Sequence, residues 1–349
     1  MTHVFIDEVH ERGVESDFLL MTLRDVMHRN LRLKVCLMSA TMDANLFSAY
    51  FNGAPTFSVP GRTFPVTAYF LEDALQMTGH VVEQNADWAR WRRKTGDAAR
   101  RPQNVPAQFL DDEHLNEDEM SRRYASYDRG VHKALAALNH NAINFALVVQ
   151  TVELALTMRP AERAEGVNLG GGGLMDAVLI FVPGLKEIET LFKALTDRPP
   201  FNREPQKSWV MPLHGNLPHE EQLAVFKRAP PGIRKIVLST NVAETSVTID
   251  DVGFVIDTGR HKEMRYDPER RMSSLKDELI PRANLKQRRG RAGRIAPGVA
   301  FHLVTKHRHD IIAQAAQEPE VRRVALEQLV LRIRALPVIN SKPSTLPPF

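Results

Sequence analysis

The chain has 349 residues, more than one hydrophobic core usually organises, so two compact units are expected. Apolar residues make up 43% and charged residues 25%, which excludes a fibrous or wholly disordered protein. The net charge of +4 is mildly basic, and its clusters, RWRRK at 90–94 and KQRRGRAGR at 286–294, fit a polyanionic partner or an ordinary solvated surface.

Cysteine content and hydropathy indicate the compartment. Cys36 is the single cysteine, so neither a disulfide framework nor a cysteine-rich zinc site is available. No apolar stretch reaches the roughly 18 residues of a membrane span, and the N-terminus lacks the pattern of a signal peptide. We expect an intracellular protein without a membrane partner, in the cytoplasm or alternatively the nucleus.

The first elements along the chain predict a parallel α/β unit. A strand is expected at His3–Ile6, a helix follows around Phe18 to Val26, and a second strand is expected at Lys34–Met38. Strand, helix, strand is typical of a parallel sheet. We assign residues 1–72 to the C-terminal half of a first lobe.

The middle of the chain is expected to be less ordered. Residues 73–142 are interpreted as a linker with a charged, disordered insert at 83–130, because apolar residues are few there. Residues 159–175 contain a run of four glycines at 170–173 and are interpreted as a flexible loop. A phosphate-binding role for that run is disfavoured, since no lysine follows at P-loop spacing.

A second alternating series predicts a second α/β lobe at 143–310. Helical patterns at Leu185–Leu195 and Glu220–Lys227 separate some of its strands, and a helix is expected at Glu318–Leu336 within a final region at 311–349. The predicted strands are Val178–Val182, Trp209–Leu213, Lys235–Ser239, Phe254–Asp257 and Val299–Val304. The fold class is therefore α/β with two lobes and parallel sheets.

Two acidic residues follow the first strand, where parallel sheets place ligand-binding groups. Asp7 can hold Mg²⁺ on a nucleoside triphosphate, and Glu8 can polarise an attacking water. Taken alone, an acidic pair at a strand end is more often a cap or a surface group. Later segments favour the catalytic role over a cap or surface role, because they supply further residues suited to phosphate binding.

The most informative later segment is QRRGRAGR at 287–294. Arg291 and Arg294 lie three apart and are predicted to share one helix face aimed at a triphosphate. Arginine suits a transferring phosphoryl group, because its planar fork stays charged and binds two oxygens. The alternative is a basic helix that touches solvent or nucleic-acid phosphates.

These segments together resemble the DEAH-box helicases of superfamily 2. The resemblance is carried by DEVHERG at 7–13, SAT at 39–41, FVPG at 181–184, STNVAETS at 239–246 and QRRGRAGR at 287–294. FLEDALQMTGHVVEQ at 70–84 and PEVRRVALEQLVLRI at 319–333 are similar to the subgroup of large cytosolic RNA helicases.

That resemblance implies two RecA-like lobes, the first truncated at its N-terminus, and one helix of a truncated winged-helix region. It implies ATP and Mg²⁺ as cofactors, and an activity that couples hydrolysis to translocation on single-stranded RNA and duplex unwinding. RNA is the implied partner, with ribosomes or translation-initiation complexes suggested by the subgroup. A DNA helicase or splicing-type remodeller remains an alternative.

Residue roles are carried over by position in the matching motifs. The implied catalytic residues are Asp7 at the metal, Glu8 at the water, His10 with Gln287 as an inter-lobe link, and Arg291 and Arg294 as arginine fingers. The implied nucleotide-binding residues are Phe226, on the adenine base, with Glu244, Ser246 and Asp250. The implied RNA-binding residues are Gly184, His214, Thr240 and Asn241, and the implied coupling residues are Ser39 and Thr41.

One family motif is missing from the printed sequence. The P-loop GxxxxGK[ST] is expected upstream of DEVH, and no Gly-Lys pair occurs among the 349 residues. We therefore expect this chain by itself to be inactive in hydrolysis and to be part of a helicase. The alternative is a non-catalytic fragment that binds RNA or another protein.

Overall fold

The computed structural model describes residues 2–40, 44–59, 61, 63–83, 85–90, 102, 105–158, 177–245 and 247–335. The strands are β1 His3–Ile6, β2 Lys34–Leu37, β3 Val66–Tyr69, β4 Ala177–Phe181, β5 Val210–Leu213, β6 Ile236–Ser239, β7 Val252–Asp257, β8 Arg260–Asp267, β9 Met272–Leu279 and β10 Gly298–His302. The helices are α1 Val14–Arg29, α2 Ala44–Tyr50, α3 Leu71–Thr78, α4 Glu117–Arg123, α5 Arg129–Ala137, α6 Phe145–Thr157, α7 Leu185–Thr196, α8 His219–Ala224, α9 Arg282–Gly290 and α10 Glu327–Ala335. Within these ranges, no helix has the length and apolarity to cross a bilayer.

The first compact unit contains residues 1–60, 263–276 and 317–349. Strands β1 and β2 pair in parallel, and the predicted strand, helix, strand order is confirmed. Helix α1 begins after Gly13, which has no side chain to cap it, and the Glu320 carboxylate accepts a hydrogen bond from the Val14 amide at 2.9 Å. A residue far along the chain thus satisfies one of the unpaired amides of this helix end.

The second compact unit contains residues 61–262 and 277–316 and carries a six-stranded sheet. All its strands are parallel, in the order β3-β10-β7-β4-β6-β5. Every residue of β4 is buried, because alternate side chains enter hydrophobic clusters on opposite faces of the sheet. The predicted α/β class is confirmed, and the sheet matches the RecA-like second lobe expected from the resemblance.

The structure divides the chain differently from the predicted boundaries. Strand β3, which we placed with the first lobe, pairs with β10 and is the sixth strand of the second sheet. The helix expected at Glu318–Leu336 is reduced to α10 after a single 3-10 turn. The paired strands β8 and β9 were not predicted, since neither shows an alternation of buried and exposed side chains and β9 is mostly exposed.

The charged insert is ordered over much of its length, contrary to our expectation. Asn116 caps α4 and exchanges hydrogen bonds with Glu119 in a capping box. Helices α4 and α5 bury a small apolar cluster that also includes residues of α3 and α6. The low apolar content of the insert predicted disorder, but its few apolar residues are enough to fold it because α3 and α6 supply the rest of the cluster. Residues 91–101 and the glycine-rich loop at 159–175 lie outside the described residues.

A buried polar network joins this helical segment to the sheet. Asp112 accepts hydrogen bonds from Tyr124 Oη at 2.8 Å and from Thr305 Oγ1 at 2.5 Å, and it pairs with Arg123. Nearby, Glu72 accepts from the Lys306 amide at 3.0 Å and is 2% exposed. Burial, above all other causes, raises the pKa of Glu72 to about 7.

We expect Glu72 to make stability fall as pH rises. Because its folded pKa lies above its unfolded value, its contribution is fully present below about pH 4.5 and is lost as pH rises through about 7. Glu72→Gln should therefore gain stability relative to the parent between pH 5 and pH 8, by at most about 3 kcal/mol.

Urea unfolding at pH 5 and pH 8 would measure this difference. Glu189→Gln, at an exposed position of α7, is the matched control and should show no pH-dependent gain. An equal effect of both substitutions would mean that Glu72 is ionised in the folded protein at neutral pH.

Candidate functional site

Asp7, Glu8 and His10 lie directly after β1 in the first unit. Asp7 is exposed, and its Oδ1 accepts a hydrogen bond from the Glu8 amide at 2.8 Å. Glu8 adopts a left-handed conformation with φ 53°, and its Oε2 lies 3.4 Å from Nδ1 of His10. Val9, between Glu8 and His10, is buried and packs the turn against the core. The carboxylates of Asp7 and Glu8 are therefore presented outward on a fixed backbone.

This turn fits a metal ion that arrives with a nucleotide. Mg²⁺ keeps several waters and is usually held by one or two carboxylates plus substrate phosphates. The exposed Asp7 carboxylate at the end of β1 meets that requirement. Ser39 follows the neighbouring parallel strand β2, hence it lies at the same edge of the sheet, whereas Thr41 is outside the described residues.

The candidate RNA-binding residues meet at one edge of the second sheet. Gly184 follows β4, His214 follows β5, and Thr240 and Asn241 follow β6. Since these three strands are adjacent and parallel, their carboxyl ends emerge at the same edge. Thr240 is buried, and its amide donates to the Leu213 carbonyl at 3.4 Å, whereas Asn241 is exposed. The structure thus brings together residues up to 57 positions apart.

Gly184 lies under an ion pair. Lys262 Nζ contacts the Glu187 carboxylate at 2.7 Å, and a Cβ at position 184 would come within 2.7 Å of that Nζ. A side chain at position 184 would therefore displace the ends of these two flexible side chains. The pair places a cation beside the amide that opens α7.

Arg291 and Arg294 of QRRGRAGR do not lie on an α-helix, which corrects that part of our prediction. Helix α9 ends at Gly290, and residues 291–293 form a 3-10 turn that leads toward β10. Arg291 Nη2 donates to the Glu244 carbonyl, and Arg294 Nη1 donates to Thr248 Oγ1 at 2.6 Å. Both guanidinium groups thus contact the segment that follows β6, and the partly exposed side chains face the same connection.

A third arginine of the motif, Arg288, holds this arrangement together. Its side chain is fully buried, with Nε 2.9 Å from Glu244 Oε2 and Nη1 2.9 Å from Asp257 Oδ1. Burial alone would lower its pKa, but the carboxylates of Asp257 and Glu244 more than offset this and raise it. Sequence reasoning missed Arg288, because nothing in the sequence distinguishes it from the other three arginines of QRRGRAGR.

The remaining candidates have individual placements. Glu244 is buried, and its other carboxylate oxygen accepts a hydrogen bond from Asn284 Nδ2 at 2.6 Å. Both of its carboxylate oxygens are therefore bonded to residues of α9. Phe226 is 47% exposed just beyond α8, and Asp250 is exposed before β7. Gln287 is half-buried on α9, in a different unit from His10, so their predicted link stays a prediction. Ser246 lies outside the described residues.

We expect Arg288→Lys to destabilise the second unit by about 3–5 kcal/mol, because an ammonium group lacks the planar fork with which the guanidinium reaches both Glu244 and Asp257, and a buried carboxylate is left unpaired. Urea unfolding measures the loss. Arg289→Lys, at the half-buried neighbouring position, is the control and should change stability by no more than about 0.5 kcal/mol. Equal small effects would show that the buried pairs contribute little.

The chain is similar in sequence to known helicases. Residues 173–296 match the helicase conserved C-terminal domain. The chain is 39% identical to human DHX57 over 98% of its own length and 26% of that protein, and 37% identical to the human ATP-dependent RNA helicase DHX29 over 95% and 24%. It is 38% identical to the Arabidopsis thaliana DExH-box ATP-dependent RNA helicase DExH1 over 97% and 32%. The chain thus spans about a quarter to a third of the length of these relatives, and over nearly all of its own length it is similar to DEAH/DExH-box helicases.

Proposed function

We propose that this protein is an ATP-dependent RNA helicase that couples nucleotide hydrolysis to translocation on single-stranded RNA and to duplex unwinding. The observation that carries the proposal is the buried Arg288 connection. It ties the segment with Thr240 and Asn241 to the turn with Arg291 and Arg294. A change in phosphate contact at that turn is then transmitted to the RNA-facing edge, as a motor requires.

The nucleotide roles follow from chemistry. Asp7 holds Mg²⁺ on the triphosphate, Glu8 orients the attacking water, and His10 next to Glu8 restrains that carboxylate. Arg291 and Arg294 stabilise the charge that spreads over the transferring phosphoryl oxygens. Phe226 offers an exposed ring on which the adenine base stacks, and Asp250 accepts hydrogen bonds from the sugar or base.

RNA binds along the carboxyl edge of the second sheet. Asn241 and the amides after β4 and β5 contact phosphate and ribose oxygens, which allows movement without regard to base sequence. Ser39 and Thr41 link the nucleotide state to the grip on RNA. The subgroup resemblance supports a cytoplasmic location, with the nucleus as the alternative, and recruitment to ribosomes or translation-initiation complexes.

A second function, RNA binding without catalysis, is favoured by the lack of a Gly-Lys pair in the printed sequence. Without a P-loop the β- and γ-phosphates lose their amide cradle and lysine. RNA-stimulated ATPase of the 349-residue chain, and of the longest protein that its transcript encodes, separates the two functions. Turnover in either supports the motor; RNA binding with only background hydrolysis in both supports the second function.

In the longest translated protein, Glu8→Gln should retain ATP and RNA affinity but hydrolyse ATP at least about a hundredfold more slowly, because an amide cannot activate water. Single-turnover hydrolysis and equilibrium nucleotide binding would measure the two properties. Glu11→Gln changes an exposed carboxylate in the same turn and should leave both properties unchanged. Loss of ATP binding in Glu8→Gln would contradict the proposed role.

Arg291→Ala and Arg294→Ala should reduce ATPase at saturating RNA by about 10³–10⁵, the range for an arginine finger, with smaller single effects if the two are partly redundant. The dependence of RNA affinity on salt should stay nearly unchanged. An arginine that neutralises an RNA phosphate would instead lower the slope of log affinity against log salt by about one.

Lys286→Ala, at an exposed position of α9, controls for loss of a positive charge. Preserved turnover together with a reduced salt slope in either arginine variant would assign that arginine to RNA.

A further inference from the structure

Lys235 is fully buried immediately before β6, although its side chain carries a charge. Its Nζ donates to the carbonyl of Val225 at 2.8 Å and to the carbonyl of Lys227 at 3.0 Å, and it lies 2.6 Å from Asp251 Oδ1. An ammonium group has three N–H donors. These three acceptors therefore use its full donor capacity.

The two carbonyls flank Phe226, so the ammonium group holds the backbone on both sides of that residue. Val225 is buried and anchors the segment, whereas the Phe226 ring is 47% exposed. After Lys227 the chain continues through Pro230, Pro231 and a left-handed Gly232, outside any helix or strand. We call the contacts of Lys235 Nζ with Val225, Lys227 and Asp251 the Lys235 clasp. The direction of the exposed ring thus depends on the Lys235 clasp.

The clasp is fixed to the sheet. Asp251 precedes β7, and its carbonyl accepts a hydrogen bond from the first amide of β4, that of Ala177, at 2.7 Å. Lys235 itself leads into β6, the strand next to β4. Two adjacent parts of the sheet therefore set the position of the ammonium group, and the ammonium group sets the position of the loop.

The use of a charge at this position needs a reason beyond packing. Burial of an ammonium group is costly unless every donor is paired, and an apolar side chain of similar volume is often equally stable in such a place. What an apolar side chain lacks is the ability to orient two carbonyls. The geometry therefore favours control of the loop conformation over simple filling of space.

We propose that Lys235 is a positioning residue that orients the Phe226 ring for stacking on the base of the nucleotide. The inference rests on the proposed function, in which Phe226 receives adenine. A role in base stacking affects ligands with a base and spares a ligand with phosphates alone. A purely structural role would weaken both classes together.

Calorimetric titration of ADP and of inorganic tripolyphosphate into the longest translated protein tests the proposal. Lys235→Met should weaken ADP binding by about 5- to 150-fold, the range for loss of one stacked base, and change tripolyphosphate binding by less than twofold. Phe226→Ala should do the same, and the double variant should lose no more than either single variant. Lys227→Met removes an exposed lysine from the same loop and should leave ADP binding unchanged.

Hydrogen exchange checks the fold and the loop together. In Lys235→Met, amides at 223–229 and at 232 should exchange at least tenfold faster while β4 and β7 keep their protection. If Lys235→Met does not fold, Asp251→Asn, which removes the charge partner, takes its place with the same expected results.

The outcomes separate the two levels of inference. The role of Lys235 is overturned if Phe226→Ala weakens ADP binding and Lys235→Met, or its replacement Asp251→Asn, does not. It is also overturned if that variant weakens tripolyphosphate binding as much as ADP binding. In both cases the stacking role of Phe226 stands. If the parent protein does not bind ADP, or Phe226→Ala has no effect, the nucleotide part of the proposed function fails, and the role of Lys235 fails with it.

Discussion

The pairing of one buried guanidinium with two buried carboxylates is the interaction on which the second unit depends. Arg288 reaches Glu244 beyond β6 and Asp257 at the end of β7, and its guanidinium carbon lies 4.7 Å from the centre of the Phe181 ring at the end of β4. Three adjacent strands therefore share one cation. Because each partner would be an uncompensated charge without the others, the group keeps a single geometry rather than a range of them.

The all-parallel sheet converts this local geometry into a site. Parallel strands expose all their carboxyl ends at one edge, so segments far apart in sequence are brought side by side without any contact specific to each pair. Gly184, His214 and Thr240 meet in this way. The opposite edge carries the Lys235 clasp, which acts on the loop that presents Phe226. The carboxyl edge thus carries the candidate RNA contacts together with the partners of Arg288, and the opposite edge carries the contacts of Lys235.

The helical segment between α3 and α6 shows how polar residues extend a core when each has a partner. Asp112 is completely buried, yet Tyr124, Thr305 and Arg123 satisfy it. Burial opposes ionisation, and the groups around it, including His140, lower the pKa of Asp112 overall. A carboxylate of this kind is compatible with a folded interior, which composition by itself did not indicate.

The sequence by itself determined the α/β class, most strand positions and the order of the helicase motifs, because buried parallel strands are short apolar runs and the motifs are contiguous in the chain. Only the tertiary structure decided that β3 completes the second sheet, that the described part of the charged insert contains helix α4 and packs in an apolar cluster, and that Arg288 and Lys235 are buried ion-paired residues. The reason is that sheet pairing and charge compensation depend on partners tens to hundreds of residues away. The sequence alone does not show whether a given lysine or arginine is solvated at the surface or paired with a buried carboxylate.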